Sequence, residues 1–183
     1  MISTTDTPIL FLDIDGVLNG DDTRVCILGL DKIPETHQGY VWLCPERIKQ
    51  LNKILDAVPE TRVILSSTWR EYGLRVVGNA LRSEGFRYRL HGLTPPKRLS
   101  YTPRAMEISA WFQNAGLDFR EHNFAILDDL DLPEIPEFKS RHVQTTDDEN
   151  IITGGEILTP GFSDEHVRRA IDLLRGQNTD EIL

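Results

Sequence analysis

The chain has 183 residues, of which 39% are hydrophobic and 27% charged, and its 29 acidic and 20 basic residues give a net charge of −9. This length and composition are ordinary for one soluble globular domain, so a single domain is predicted over 1–183. The negative charge argues against a strong non-specific nucleic-acid binder, which needs a basic surface, although it does not exclude a local basic patch.

The predicted compartment is the cytoplasm. No apolar stretch approaches the length of a membrane span, and the N-terminus has neither the basic region nor the apolar core of a signal peptide. Cys26 and Cys44 lack metal-type spacing, so we interpret them as reduced thiols. No membrane partner is expected.

The first predicted element is a buried strand that ends in two carboxylates. The run 8–12 is continuously apolar and leads into Asp13, Ile14, Asp15 and Gly16, which is typical of a parallel strand covered on both faces. Ligands bind at the carboxyl ends of such strands. Two close carboxylates repel each other unless a cation holds them, and Mg²⁺ prefers oxygen ligands. The motif predicts a divalent-metal site; the alternative is an Asp-Gly turn.

A flap and a helix are predicted next. Residues 20–43 are irregular and contain two short β-prone pieces, so we predict a flap, with a plain surface loop as the alternative. Pro45 suits the first turn of a helix, and the apolar residues after it recur at helical spacing. This helix is predicted to end near Val58.

The second buried strand is predicted over 62–66. The residues at and after its end are Ser66, Ser67, Thr68, Trp69 and Arg70. A helix with an apolar face follows and is predicted to end at Gly85. The alternating run 86–90 indicates a third strand, and 91–102 is predicted to be a loop.

The second half repeats the alternation of helix and strand. Thr102 and Pro103 are typical of a helix start, and Gly116 of its end. The apolar run 124–128 predicts a further strand that ends in carboxylates. Another strand is predicted at 141–145, a loop at 146–162, a helix from Ser163, and a frayed polar tail at 177–183. Alternating strands and helices predict an α/β fold with a parallel sheet and right-handed crossovers.

The strand ends carry a resemblance to a known family. Asp13-x-Asp15 followed by Gly-Val-Leu-Asn resembles the first motif of the haloacid dehalogenase-like (HAD) phosphohydrolases, and this variant is similar to the HAD domains of RNA-repair proteins. Later motifs follow in order, so the resemblance covers most of the chain. It implies a single Rossmann-like HAD domain with helices on both faces of a central parallel sheet. The gaps between motifs are too short for a large cap domain.

The resemblance implies a role for each acidic residue. Asp13 would be the nucleophile that takes the phosphoryl group as an aspartyl phosphate, and it would also contact Mg²⁺. Asp15 would protonate the leaving oxygen and then act as base for water, with its backbone carbonyl on the metal. Asp129 is favoured as the direct fourth-motif ligand, with Asp128 assisting. Mg²⁺ is the expected cofactor.

The resemblance also implies groups that bind phosphate. Ser66 would donate a hydrogen bond to a phosphate oxygen, with Ser67 as the alternative because the register of the pair is ambiguous. Arg104, at the start of a helix, is favoured as the third-motif cation, and Lys97 is the alternative. The remaining predicted substrate contacts are Gly16, Thr68, Trp69 and Arg70.

These features predict a Mg²⁺-dependent phosphomonoester phosphatase that works through an aspartyl phosphate on Asp13. Its partner would be a phosphorylated substrate, either a small molecule or a nucleic-acid end. The first alternative is a polynucleotide-end phosphatase of the repair type, in which Trp69 stacks on a base. The second is a catalytically silent HAD-fold binding protein.

Overall fold

The structure is a computed structural model that describes residues 7–19, 43–95, 102–145 and 162–177, and the backbone of two short strands between the last two segments. Apart from Leu43, the predicted flap lies outside the described residues, as do Lys97 and the tail after Gln177. No helix in the described part is long and apolar enough to cross a membrane.

Five parallel strands form the central sheet. They are β1 (Ile9–Leu12), β2 (Arg62–Leu65), β3 (Leu90–Leu93), β4 (Phe124–Asp128) and β5 (His142–Gln144). The spatial order is β3-β2-β1-β4-β5. Leu12 pairs with Leu65 on one side and Leu127 on the other, so β1, β2 and β4 end at nearly the same level. The predicted α/β fold is confirmed.

Helices cover both faces because alternate strand residues point to opposite sides. The helices are α1 (Pro45–Ala57), α2 (Leu74–Ser83), α3 (Arg104–Ala115), α4 (Pro136–Lys139) and α5 (Asp164–Leu174). Leu10 and Leu12 belong to the core on the face covered by α1, α2 and α5. Ile9 and Phe11 belong to the second core, which includes buried residues of α3 and α4.

The structure differs from the sequence prediction in one strand and in one loop. The third strand does not cover 86–90 but begins at Leu90 and continues to Leu93, into the predicted loop. Phe86 is buried in the core, and its burial accounts for the apolar signal before the strand. The predicted loop at 146–162 contains a two-stranded antiparallel hairpin, β6 (Ile152–Thr153) and β7 (Glu156–Ile157).

Candidate active site

The carboxyl edge of the sheet brings the predicted residues of three strands together. Hydrogen bonds continue past the strand ends: the Asp13 N–H donates to the Leu127 carbonyl (2.9 Å) and the Ser66 N–H to the Leu12 carbonyl (2.7 Å). These bonds fix the backbone directly at the candidate site. The Asp13 side chain is consequently buried at the end of the central strand, 4% exposed.

Three carboxylates form a compact cluster at this edge. Asp13, Asp128 and Asp129 each offer one oxygen, and these three atoms lie within 4.8 Å of one another. Burial raises the pKa of Asp13, although Arg104, Ser67 and the Ile14 N–H favour its charged form. Burial also raises the pKa of Asp128 to about 7 and that of Asp129 above its ordinary value. The cluster is thus a place where negative charge is costly without a cation.

Gly16 makes room for one of these carboxylates. Its φ is +73°, and a Cβ at this position would lie 2.4 Å from the Asp129 Cγ. The Gly16 carbonyl accepts hydrogen bonds from the Thr145 hydroxyl (2.9 Å) and the Arg47 guanidinium (3.1 Å). Glycine is therefore required here both for its backbone conformation and for the close approach of Asp129.

Arg104 joins the strand ends electrostatically. It is the first residue of α3, and its side chain is 7% exposed. Its Nη2 donates to Asp13 Oδ2 at 3.0 Å, while Nη1 lies 3.5 Å from both Ser66 Oγ and Asp128 Oδ2. One guanidinium therefore faces Asp13, Ser66 and Asp128 at the same time.

Arg70 was predicted to contact the substrate, but its guanidinium is bound to other side chains of the protein. Its guanidinium makes two 2.8 Å bonds to the buried Glu107 carboxylate and a 3.2 Å bond to the Thr94 hydroxyl. Glu107 Oε2 is also 3.9 Å from Arg104 Nε. Arg70 thus holds a carboxylate that lies beside Arg104. The sequence interpretation missed Glu107; its signal was an acid one turn after Arg104 on the same helix.

Trp69 is buried, which contradicts its predicted stacking on a base. The residue is 6% exposed, and its indole Nε1 donates to both carboxylate oxygens of Asp15 at 3.1 Å. The Asn19 amide also donates to Asp15 Oδ1 at 2.9 Å. Asp15 itself is exposed. Its carboxylate is held by donors next to the buried Asp13 and faces solvent.

Ser66 and Ser67 contact different side chains. The Ser67 hydroxyl hydrogen-bonds to Asp13 and also accepts from the Trp69 N–H at 3.4 Å, whereas Ser66 lies beside Arg104. Thr68 is exposed. Both serines border the carboxylate cluster, and the choice between them as phosphate ligand stays a prediction.

The donor set fits Mg²⁺. Asp128 Oδ2 is buried and has no hydrogen-bond partner among the described residues. When ionised, the three clustered carboxylates and Arg104 carry two net negative charges, which one divalent ion balances. Hard oxygen ligands are those that Mg²⁺ prefers. Asp13, Asp128 and Asp129 are therefore the side chains suited to hold it.

A five-stranded parallel sheet with Asp13 after its central strand, and Asp128 and Asp129 at the end of the neighbouring strand, makes this a Rossmann-like α/β domain. The family model described as the HAD domain in Swiss Army Knife RNA repair proteins matches residues 9–153, and the chain belongs to this family. No curated protein and no solved structure matches the chain.

Proposed function

We propose that this protein is a Mg²⁺-dependent phosphomonoesterase that uses Asp13 as its nucleophile and a polynucleotide end as its substrate. The observation that carries the proposal is the position of Asp13. Its carboxylate lies at the end of the central strand, 3.0 Å from Arg104 and within the acidic cluster. This is where a carboxylate nucleophile needs a cation to bring a phosphate dianion close.

The proposed phosphate site uses side chains from three strand ends. Asp13, Asp128 and Asp129 would hold Mg²⁺, which would neutralise carboxylate charge and stabilise charge on the transferring group. Arg104 would bind phosphate oxygens with its planar fork. Ser66, beside that fork, would donate a further hydrogen bond.

The reaction proceeds in two displacements. The Asp13 carboxylate attacks phosphorus, and the bond to the leaving oxygen breaks as Asp15 supplies its proton. The now ionised Asp15 takes a proton from water, whose oxygen attacks the phosphorus of the aspartyl phosphate. Phosphate leaves and the Asp13 carboxylate is restored. Trp69 and Asn19, which donate to Asp15, fix that carboxylate for both proton transfers.

Two observations support a polynucleotide end as the substrate. The family to which the chain belongs is described from RNA repair proteins. In addition, Asp15 is exposed while Asp13 is buried, so the leaving group lies on the solvent side of the phosphate. A leaving group in that position can belong to a large molecule.

Phosphate release tests the proposal. We expect Mg²⁺-dependent release from 3′- or 5′-phosphorylated oligonucleotides that exceeds release from small sugar phosphates and stops in EDTA. Asp13→Asn should abolish it, whereas Asp131→Asn, an exposed residue nearby, should retain it. Borohydride added during turnover should reduce the aspartyl phosphate and leave homoserine at position 13, which peptide mass analysis detects.

Two results would contradict the proposal in different ways. Binding of phosphorylated ends without any release would identify a catalytically silent HAD-fold protein. Efficient release confined to one small metabolite would retain the chemistry but overturn the polynucleotide substrate.

A further inference from the structure

We infer that Tyr72 is the stacking platform for the base of the nucleotide that carries the phosphate. This inference rests on the proposed phosphatase function and adds the part of the leaving group that the site recognises. It replaces Trp69, whose ring is buried, with an aromatic residue one turn away.

The spacing of Tyr72 from Trp69 predicts that the two side chains are on the same face of one short helix. Thr68–Tyr72 form a 3-10 helix that is separated from the end of β2 by two residues. Such a helix has three residues per turn, so side chains at i and i+3 eclipse each other and lie about 6 Å apart along the axis. Trp69 and Tyr72 have this spacing. The Trp69 indole donates to Asp15, so this spacing predicts that Tyr72 is on the same face of the helix, one turn along from Trp69.

The two aromatic residues differ in exposure. Trp69 is 6% exposed and packs in the core, whereas Tyr72 is 58% exposed. The Trp69 ring is therefore buried and bound to Asp15, whereas the exposed Tyr72 is accessible to a ligand. Asp15 protonates the leaving oxygen in the proposed reaction, so the leaving nucleoside departs on this side.

Four exposed apolar residues, here called the rim, belong to segments at the carboxyl edge of the sheet. The exposed large hydrophobic residues of the described chain are Tyr72, Val76, Met106 and Leu130. Val76 and Met106 lie in the first turns of α2 and α3, and Leu130 follows Asp129. All four are thus at the carboxyl edge. Single exposed apolar residues need no explanation. Because these four all belong to segments at the edge that holds the carboxylate cluster, we take them as the interaction surface.

A base suits this rim better than a long tract of backbone phosphates. A protein that binds along the phosphate backbone of a nucleic acid needs a basic surface, whereas this chain has a net charge of −9. Stacking requires an aromatic face, and Tyr72 is the aromatic member of the rim. Alanine substitution at stacking platforms weakens binding about 5- to 150-fold. Recognition of one terminal base therefore supplies useful affinity without a basic groove.

The experiment compares two oligonucleotides that differ in one base. Both carry the terminal phosphate, and one has an abasic sugar at the phosphorylated nucleotide. Equilibrium binding is measured with Mg²⁺ and Asp13→Asn protein, which keeps the substrate intact, while phosphate release is measured with Asp13 present. We expect the base-bearing end to bind at least about fivefold more tightly than the abasic end. Tyr72→Ala should reduce this ratio to near one, and Tyr72→Phe should preserve it.

Glu71→Ala is the matched control, because Glu71 is the exposed neighbour on another face of the same turn. It removes a negative charge and should not weaken binding. The stacking inference would be overturned if Tyr72→Ala weakened binding of both oligonucleotides equally, or of neither. Phosphate release by the wild type would still support the proposed phosphatase activity in that case. A wild type that binds and cleaves neither oligonucleotide would overturn both.

Discussion

At the scale of single residues, the acidic cluster depends on one guanidinium. Arg104 contacts Asp13 and lies close to Ser66 and Asp128. A buried carboxylate without such a neighbour pays a large desolvation penalty. Arg104 therefore has two tasks in the proposed enzyme: it stabilises Asp13 before phosphate arrives and binds phosphate afterwards.

Arg104→Ala should lower kcat/KM by about 10²–10³-fold, the usual loss when a preorganised donor is removed from a transition state. Steady-state kinetics on a phosphorylated oligonucleotide measure the change. Arg120→Ala, which removes an exposed arginine, is the control and should change little. We expect Lys97→Ala to cost less than Arg104→Ala; a larger loss for Lys97→Ala would transfer the third-motif role to Lys97.

Asp128 should make the metal-free protein less stable as pH rises. Its pKa is raised to about 7 in the folded protein, compared with about 4 in an unfolded chain. Folding therefore favours its protonated form, and the stabilisation present below about pH 4 is lost progressively up to about pH 7. In EDTA, the gain in unfolding free energy of Asp128→Asn over wild type should grow from pH 5 to pH 8.

Chemical denaturation at several pH values measures this difference. Asp131→Asn is the control for loss of a carboxylate from the same loop, since Asp131 is exposed. A difference for Asp128→Asn that does not change with pH would contradict the raised pKa.

The positions of single residues were predictable from sequence where the backbone decides them. Asp13 and Asp128 were expected at one edge of the sheet because apolar runs predict buried strands, and strand ends share an edge. The burial of Trp69 and the pairing of Arg70 with Glu107, 37 positions away, depend on side-chain packing. Local periodicity carries no information about such long-range partners, so the burial of Trp69 and the partner of Arg70 could not be predicted from the sequence.

At the scale of elements, the turn after β1 is shaped around Asp129. Gly16→Ala should be inactive and should lose the stabilisation by Mg²⁺, because the new Cβ meets the Asp129 carboxylate at 2.4–2.6 Å. Gly85→Ala is the matched control: its φ is +95°, but no atom lies within 4 Å of the added Cβ. Both variants should lose about 1–2 kcal/mol from the left-handed backbone.

Thermal unfolding with and without Mg²⁺, together with phosphate release, separates the two glycine variants. Gly85→Ala should be destabilised yet active. A Gly16→Ala protein that retains its Mg²⁺ response would show that Asp129 moves without cost, and it would remove Asp129 from the ligand set.

Element boundaries were predictable where caps and apolar runs agree. Helix α1 begins at Pro45 as predicted, because proline suits the first helical turn. Strand β3 was misplaced because it pairs through an irregular register: the Val63 N–H donates to the His91 Nδ1 instead of a strand carbonyl. A side chain that replaces a backbone partner leaves no periodic signal in sequence.

For the whole molecule, Mg²⁺ should raise the melting temperature, because a ligand that binds the folded state stabilises it by RT ln(1 + [L]/Kd). Asp129→Ala should remove most of this shift, while Asp131→Ala should keep it. Differential scanning fluorimetry over a Mg²⁺ series is sufficient. An unchanged shift in Asp129→Ala would assign the metal to Asp128 or to another site.

The overall architecture followed from sequence because alternating buried strands and amphipathic helices admit few topologies. The parallel sheet with helices on both of its faces agrees with that expectation. The predicted flap at 20–43 lies outside the described residues apart from Leu43. The absence of a large cap remains a prediction.

Arg47 couples local opening of the turn after β1 to helix α1. This buried α1 residue donates to the carbonyls of Gly16, Val17 and Asn19 at 3.0–3.1 Å. The turn therefore cannot open without releasing a guanidinium anchored in a core helix, and in hydrogen exchange the two should behave as one cooperative unit. In Arg47→Met, the Val17 and Leu18 amides should exchange much faster than in wild type, while that of Phe11 in the central strand should keep its protection.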